Sequence, residues 1–204
     1  MSRYTGSINR KSRRLKFSLL ENNKEFSKGK KRTTVPGQHG GARAKTPSEY
    51  KLQLTEKQKV ALMYGLNDTQ MKRFILMARK MKGSNSLNLL ILLESRIDNL
   101  VYRMGFAPTR RASRQLVTHG HVLVNGKKIS IPSFIVDVNS EITIKEKSKK
   151  LPVVNAIDAN ATRIAFVTVD VSNKSGKYIR LPERSELNPE LKESFVIEYY
   201  NRII

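Results

Sequence analysis

The sequence predicts an α+β protein made of a basic irregular N-terminal arm, a helical region and a strand-rich region. Residues 1–47 are basic, contain few apolar residues and include the loop-forming run "PGQHGG", which predicts the arm. Residues 48–104 carry apolar residues at the spacing of amphipathic helices. From residue 121 the apolar period changes to two, which is typical of half-buried strands and predicts a mostly antiparallel sheet.

Four helices are predicted after the arm, and each of them ends at a glycine. They cover residues 48–65, 67–83, 86–105 and 107–120. Ser48 is a suitable N-cap for the first helix, and Pro108 with Thr109 is typical of a helix start. The third helix is the strongest prediction, because its apolar residues keep the i, i+3, i+4 and i+7 pattern as far as Gly105.

The strand predictions begin with a hairpin. Asn125-Gly126 is the preferred pair for a type I′ turn, and it divides residues 121–131 into two short strands. Further strands are predicted at residues 134–138, 141–147, 163–171 and 176–181. Residues 193–201 are compatible with either a strand or a helix, since their periodicity decides for neither.

These elements predict four segments. Residues 1–47 form a basic extended arm, which we expect to become ordered on a partner. Residues 48–93 form a helical domain that the C-terminal segment 185–204 completes. Residues 94–157 form a small α/β domain of two helices, a hairpin and strands, and residues 158–184 extend it with further strands.

The charge of the chain predicts a polyanionic partner. The sequence holds 39 basic and 17 acidic residues, a formal net charge of +22. Residues 1–48 carry 13 basic and two acidic residues, whereas residues 151–204 carry seven of each. Such a charge repels itself in a compact chain unless an anion neutralises it, so nucleic acid is the first expectation. Charge alone is equally compatible with a DNA-binding or antitermination factor.

Several other classes of protein are not expected. The chain has no cysteine, which excludes disulfides and thiolate metal sites. His39, His119 and His121 lack zinc-type spacing, so neither a metal nor another cofactor is expected. No secretory signal is recognised, and the longest apolar run, residues 89–93, is too short to cross a bilayer. We therefore expect a soluble intracellular protein.

Residues 109–128 carry the strongest candidate binding surface. Arg110 and Arg114 are four residues apart and share a helix face, next to Arg111 and to Arg103 of the preceding helix. The guanidinium group suits phosphate because it donates two parallel hydrogen bonds and stays charged. No acidic residue lies between Asp98 and Asp137, which predicts unpaired charges and favours RNA contact over a merely solvated face.

The run "SRID", Ser95 to Asp98, offers an alternative function. It is similar to the signature in which pseudouridine synthases carry their catalytic aspartate, which would make this an RNA-modifying enzyme. Those enzymes need a separate catalytic domain that this sequence lacks. A helix-surface aspartate that pairs with Arg96 or Arg103 is the preferred interpretation, and no enzymatic activity is predicted.

Several motifs resemble one family over residues 3–200. They are "RYTG", "SRR", "PGQHG", "EKQK", "ESRIDNLVYRMGFAPTRRASRQLVTHGHVLVNG" and "PERSEL". Together they resemble the bacterial-type fourth protein of the small ribosomal subunit, with residues 94–126 the most specific part. That part is similar to the small RNA-binding domain named after this family.

The resemblance implies a function and a set of partners. It implies a primary binder of small-subunit rRNA that docks early on the 5′ domain and nucleates its assembly. The third and fifth small-subunit proteins are the implied neighbours, the fifth at an interface that affects decoding accuracy. No membrane and no small-molecule substrate are implied. The location is the cytoplasmic ribosome, with an organellar ribosome left open.

The resemblance also bears on individual residues. Arg43 and Lys45 align with basic residues that face incoming mRNA. Some relatives hold zinc on an arm cysteine cluster that this chain lacks, so rRNA and packing are expected to order the arm. The full set of residues predicted to contact RNA is Arg3, Arg10, Lys11, Arg13, Arg14, Lys30, Lys31, Arg32, Gln38, His39, Arg73, Arg103, Thr109, Arg110, Arg111, Arg114, His119, His121, Asn125, Lys127 and Lys128.

Overall fold

The computed structural model describes residues 4–23, 25–26, 33–41, 46–155 and 164–203. The helices are α1 Ile8–Leu15, α2 Glu49–Met63, α3 Asp68–Lys80, α4 Asn85–Glu94, α5 Ile97–Arg103, α6 Arg110–Thr118, α7 Pro152–Asn155 and α8 Glu193–Asn201. The strands are β1 Val122–Val124, β2 Lys127–Ile129, β3 Glu141–Ile144, β4 Val167–Asp170 and β5 Ser175–Tyr178. The predicted α+β class is confirmed. No helix in the described ranges is long and apolar enough to span a membrane.

The chain divides into two compact units, residues 1–77 with 190–204, and residues 78–189. The boundaries predicted for the arm and the domains stay predictions.

In the first unit the C-terminal segment is a helix, which settles the open choice at residues 193–201. This helix, α8, packs against α2. Gln53 of α2 is buried and donates to Glu198 at 3.0 Å. The buried carboxylate of Glu56 accepts the backbone N–H of Lys192, the N-cap of α8, at 3.3 Å. Glu56 thus satisfies a donor that the start of α8 would otherwise leave open.

The arm contains a helix that its charge did not predict. Helix α1 spans Ile8–Leu15, and Leu15, Phe17 and Leu19 are all buried. The buried hydroxyl of Ser12 accepts the backbone N–H of Leu19 at 3.3 Å, which folds the chain back over the end of α1. These three apolar side chains within five residues provide the packing that stabilises α1, although the arm as a whole is poor in apolar residues.

In the second unit two helices cover one face of an antiparallel sheet. The strand order is β2-β1-β3-β5-β4, and every neighbouring pair is antiparallel. Helices α5 and α6 supply Leu100, Val101 and Val117 to a core that includes Ile142 and Tyr178 of the sheet. The φ angles of Asn125 and Gly126 are 48° and 77°, as a type I′ turn requires, so the predicted hairpin is confirmed.

The helix predicted over residues 86–105 is wrong as a single element. Helix α4 ends at Glu94, Arg96 is extended with φ −69° and ψ 140°, and α5 begins at Ile97. The interruption arises because the chain pairs with a distant segment. Arg96 forms a β-bridge with Ile135, and the N–H of Ile97 donates to the carbonyl of Phe134 at 2.9 Å. The strand predicted at residues 134–138 is therefore not formed, apart from this single bridge at Ile135.

Candidate nucleic-acid interface

Helix α6 packs its apolar residues into the core, so its polar face points outward. Thr109 caps the helix, and its Oγ1 accepts the N–H of Ala112 at 3.2 Å. Leu116 and Val117 point into the unit and are buried, while Arg111 is exposed. The helix ends before Gly120, whose φ of 71° turns the chain into β1.

A cluster of basic side chains forms where α6 meets the hairpin. The rings of His119 and His121 lie 6.0 Å apart between centroids. The Lys128 side chain packs directly against Gly120, so that a Cβ atom at position 120 would collide with it. The N–H of Lys145 donates to the carbonyl of His121 at 2.9 Å. We call His119, His121, Lys128 and Lys145 the helix–hairpin face.

The electrostatics of His121 show how concentrated this charge is. Burial lowers the pKa of His121, and the positive charges of His119, Lys145 and Lys128 lower it further. Its Nδ1 lies 2.8 Å from the hydroxyl of Ser148. Lys145 was not among the predicted residues, because only the pairing of β1 with β3 brings it beside His121. The face therefore favours an anionic ligand.

Three of the predicted arginines lie mostly inside the unit. The side chains of Arg103, Arg110 and Arg114 are 9%, 11% and 16% exposed. Arg103 donates two hydrogen bonds of 2.8 Å to the fully buried carboxylate of Glu94. Arg110 donates to the side-chain oxygen of Asn99 at 2.7 Å, and its guanidinium carbon lies 4.5 Å from the centroid of the Tyr102 ring.

A second acid, Asp98, completes this network. Arg96, whose side chain is fully buried, donates to both Asp98 oxygens at 3.0 and 2.6 Å, and Arg114 approaches one of them at 3.4 Å. The prediction that no acid pairs with this stretch is therefore wrong, since Glu94 and Asp98 approach from the preceding helices. Asp98 does pair with Arg96, but it is buried rather than on the helix surface. Arg103 pairs with Glu94 instead.

The network keeps a positive balance. Four arginines, 96, 103, 110 and 114, share two acids, so their formal charges leave an excess of two positive charges under α6. Paired arginines still contribute to the potential of the surface above them. Arg110 and Arg114 of α6 bind Asn99 and Asp98 of α5 and so hold the two helices together.

The arm supplies a second basic surface, a groove beside α1. The groove has a volume of about 670 Å³. It brings together five of the predicted residues, Arg10, Lys11, Arg14, Gln38 and His39. Tyr4 lines it as well, and none of the described residues that line it is acidic. We call this surface the arm groove.

The remaining predicted residues fall into three groups. Thr109 and Asn125 have structural roles, since Thr109 caps α6 and the Asn125 Oδ1 accepts the N–H of Glu141 at 2.8 Å. Arg73 is exposed on α3, Lys127 is exposed at the hairpin, and Arg13 is partly exposed on α1. Lying outside the described residues are Arg3, Lys30, Lys31, Arg32, Arg43 and Lys45.

No group of three or more His, Asp or Glu side chains in the described part of the chain is arranged to hold a metal ion.

Two helices on an antiparallel sheet, with a basic face joining helix to hairpin, define a nucleic-acid-binding protein. The comparisons with known families give its class. Residues 95–142 match the S4 domain, and residues 3–94 match the ribosomal protein S4/S9 N-terminal domain.

Whole-length relatives agree with this class. The chain is 56% identical over 204 residues to small ribosomal subunit protein uS4 of Malacoplasma penetrans, covering all of both chains. It is 58% identical over 205 residues to uS4 of Ureaplasma urealyticum, again over all of both chains. It is 51% identical to uS4 of Mycoplasma pneumoniae over 99% of each chain. The chain belongs to the family of small ribosomal subunit protein uS4.

This membership confirms the resemblance found in the motifs. The family is one of structural ribosomal proteins, so the chain has a structural role in the ribosome and is not an enzyme. The pseudouridine-synthase alternative is thereby excluded. The geometry agrees, because guanidinium groups hold both oxygens of Asp98.

Proposed function

We propose that this protein is a primary binder of small-subunit rRNA that nucleates assembly of the 5′ domain. The observation that carries the proposal is the helix–hairpin face, where four positive or titratable side chains, His119, His121, Lys128 and Lys145, converge. Converging phosphates at an RNA junction repel one another, and a basic surface placed between them lowers that repulsion. The arm groove adds a second contact of the same chemistry.

Two finer roles rest on the family resemblance. The chain contributes to decoding accuracy through contact with the fifth small-subunit protein, and the third is its other neighbour. Arg43 and Lys45 contribute to the path by which mRNA enters. The relatives are bacterial ribosomal proteins, which is consistent with a cytoplasmic ribosome as the location.

The first prediction concerns salt. We expect binding to a 5′-domain rRNA fragment to weaken steeply with salt, with about 0.7 to 0.9 units of log–log slope for each phosphate neutralised. Filter binding across a salt series measures this slope. Duplex DNA of equal length is the competitor, and we expect it to be about 100-fold weaker because it lacks the A-form junction. Equal competition by DNA would contradict the assignment to rRNA.

The second prediction concerns pH. The pKa of His121 is lowered in the free protein, and phosphate nearby favours the protonated ring, so binding raises this pKa. RNA binding should therefore take up a proton, and affinity should rise as pH falls from about 8 to about 5.5, by up to about tenfold for one unit of pKa change.

The His121→Gln variant should lose this part of the pH dependence while binding normally at about pH 8, where the ring is neutral in both states. The unmodified protein over the same pH series is the reference, since His39 and His119 also lie on surfaces proposed to contact RNA. A full pH response in His121→Gln would show that phosphate does not approach this ring.

A further inference from the structure

The arm groove has the dimensions of a site for a nucleotide rather than for a phosphate group alone. Its volume of about 670 Å³ lies in the range of small-molecule sites. Arg10 and Lys11 are adjacent on α1 and Arg14 follows one turn later, so the helix supplies three cations. Residues 35–40 form the facing wall. The space between these walls admits a ligand with both an anionic and a planar part.

Tyr4 supplies an aromatic surface that is held in place. Its hydroxyl donates to the carbonyl of Ser7 at 3.1 Å, and Gly6 packs so closely that a Cβ atom there would lie 2.7 Å from the same hydroxyl oxygen. The Nζ atom of Lys11 lies 4.9 Å from the ring centroid. Tyr4 nevertheless remains 37% exposed. A ring fixed in this way loses little freedom when a second ring stacks on it.

The facing wall is also fixed by its backbone. The N–H of Gly40 donates to the carbonyl of Gly37 at 3.2 Å. A side chain at Gly40 would collide with the carbonyl oxygen of Val35, so the turn closes only with glycine. This turn holds Gln38 and His39 on the groove. Their amide and imidazole groups can hydrogen-bond to the edge of a base.

An aromatic platform beside cations is the arrangement that binds single strands, because stacking needs an exposed base face. Bases in an RNA duplex are stacked on one another and offer no such face. We propose that the arm groove binds one unpaired nucleotide of the rRNA, with its base against the Tyr4 ring and its phosphate at Arg10 and Arg14. This inference rests on the proposed function and adds to it a subsite that distinguishes single-stranded from paired RNA.

The test uses a fluorescent reporter, since the chain has no tryptophan. In the full-length Tyr4→Trp variant, a short single-stranded oligouridylate should quench the indole emission, because a stacked base quenches it. A duplex of the same length should leave the emission unchanged. Tyr50→Trp is the control, since Tyr50 is 51% exposed on α2 and lies outside the groove. Adding Arg10→Gln and Arg14→Gln to the reporter variant should weaken the oligouridylate titration about tenfold.

Binding of the 5′-domain fragment is measured in parallel, and there Tyr4→Phe, which keeps the ring but loses the hydrogen bond to Ser7, should bind less than about threefold more weakly, and Tyr4→Leu about tenfold more weakly. If the unmodified protein did not bind the 5′-domain fragment, the proposed function itself would be overturned. Normal fragment binding without quenching in Tyr4→Trp overturns only the nucleotide site. Equal quenching by the duplex, or in Tyr50→Trp, overturns it as well, since the emission would then report nonspecific attachment.

Discussion

Replacing Glu94 by glutamine should lower the free energy of unfolding of residues 78–189 by about 3 to 5 kcal/mol. The carboxylate is fully buried and accepts two hydrogen bonds from Arg103 and one from Asn99. Arg110 lies 4.0 Å from it as well. Glutamine keeps the volume but not the charge, so the Arg103 and Arg110 guanidinium groups lose their anion in a place that water hardly reaches.

Because the chain has two compact units, one unfolding curve would mix their stabilities. Hydrogen exchange of amides in α5 and β3 along a urea series measures the affected unit separately. Glu146→Gln is the matched control, since that side chain is 85% exposed and its ion pair is with Lys149 at the surface, so it should change stability by less than about 0.5 kcal/mol.

A double variant separates the loss of charge from the loss of packing. Arg103→Met in the Glu94→Gln background removes the guanidinium that lost its partner, and it should restore part of the stability. If Glu94→Gln lowered the free energy of unfolding by less than about 1 kcal/mol, solvent would be compensating the charges of Arg103 and Arg110. A further fall in the double variant would show that Arg103 stabilises the unit by other contacts.

Local rules predicted those elements that depend on neighbours in sequence. The Asn125-Gly126 pair specifies its turn because both residues tolerate a positive φ angle, whatever surrounds the hairpin. The start of α6 follows from the hydroxyl of Thr109. Such features need no knowledge of the rest of the fold.

Features that depend on distant partners could not be predicted in this way. The apolar pattern runs unbroken through Arg96, yet the helix stops there because the backbone pairs with Ile135. The sequence predicts an unpaired Arg114 because no acid follows Asp98 for many residues, but helix packing brings the Asp98 carboxylate itself to 3.4 Å from the Arg114 guanidinium group. Scanning along the chain for acids therefore says little about the charges of packed helices.

For the candidate surfaces, too, composition predicted the charge but not the placement of individual residues. Composition predicted that the arm and the segment around α6 are basic, and both carry basic surfaces. It did not show that Lys145 joins His121, nor that "PGQHG" faces α1 across a groove. The first placement depends on the pairing of β1 with β3, and the second on contacts between α1 and residues 35–40, which are distant in sequence.

The largest effect on RNA binding is expected from reversing charge on the helix–hairpin face. Lys128→Glu combined with Lys145→Glu should weaken binding of the 5′-domain fragment by about 100-fold or more at moderate salt. Both side chains act on His121, so both belong to the same concentrated positive field. Reversal removes two attractions and adds two repulsions to the nearest phosphates.

The single variants Lys128→Glu and Lys177→Glu form a matched pair. Both lysines are exposed on the sheet, but β1 and β3 separate β2 from β5. The two variants have the same net charge, so a difference between them reports position and not total charge. Lys128→Glu should weaken binding about tenfold and reduce the salt slope by about one phosphate, while Lys177→Glu should change affinity less than about threefold.

Hydrogen exchange in α5 and β3 must match the unmodified protein in both variants, which shows that the sheet is intact. If Lys177→Glu weakened binding as much as Lys128→Glu while the sheet stayed intact in each variant, the rRNA would be responding to total charge. The helix–hairpin face would then not be the docking surface. If only Lys128→Glu weakens binding and flattens the salt slope, the phosphates lie where β2 meets the end of α6.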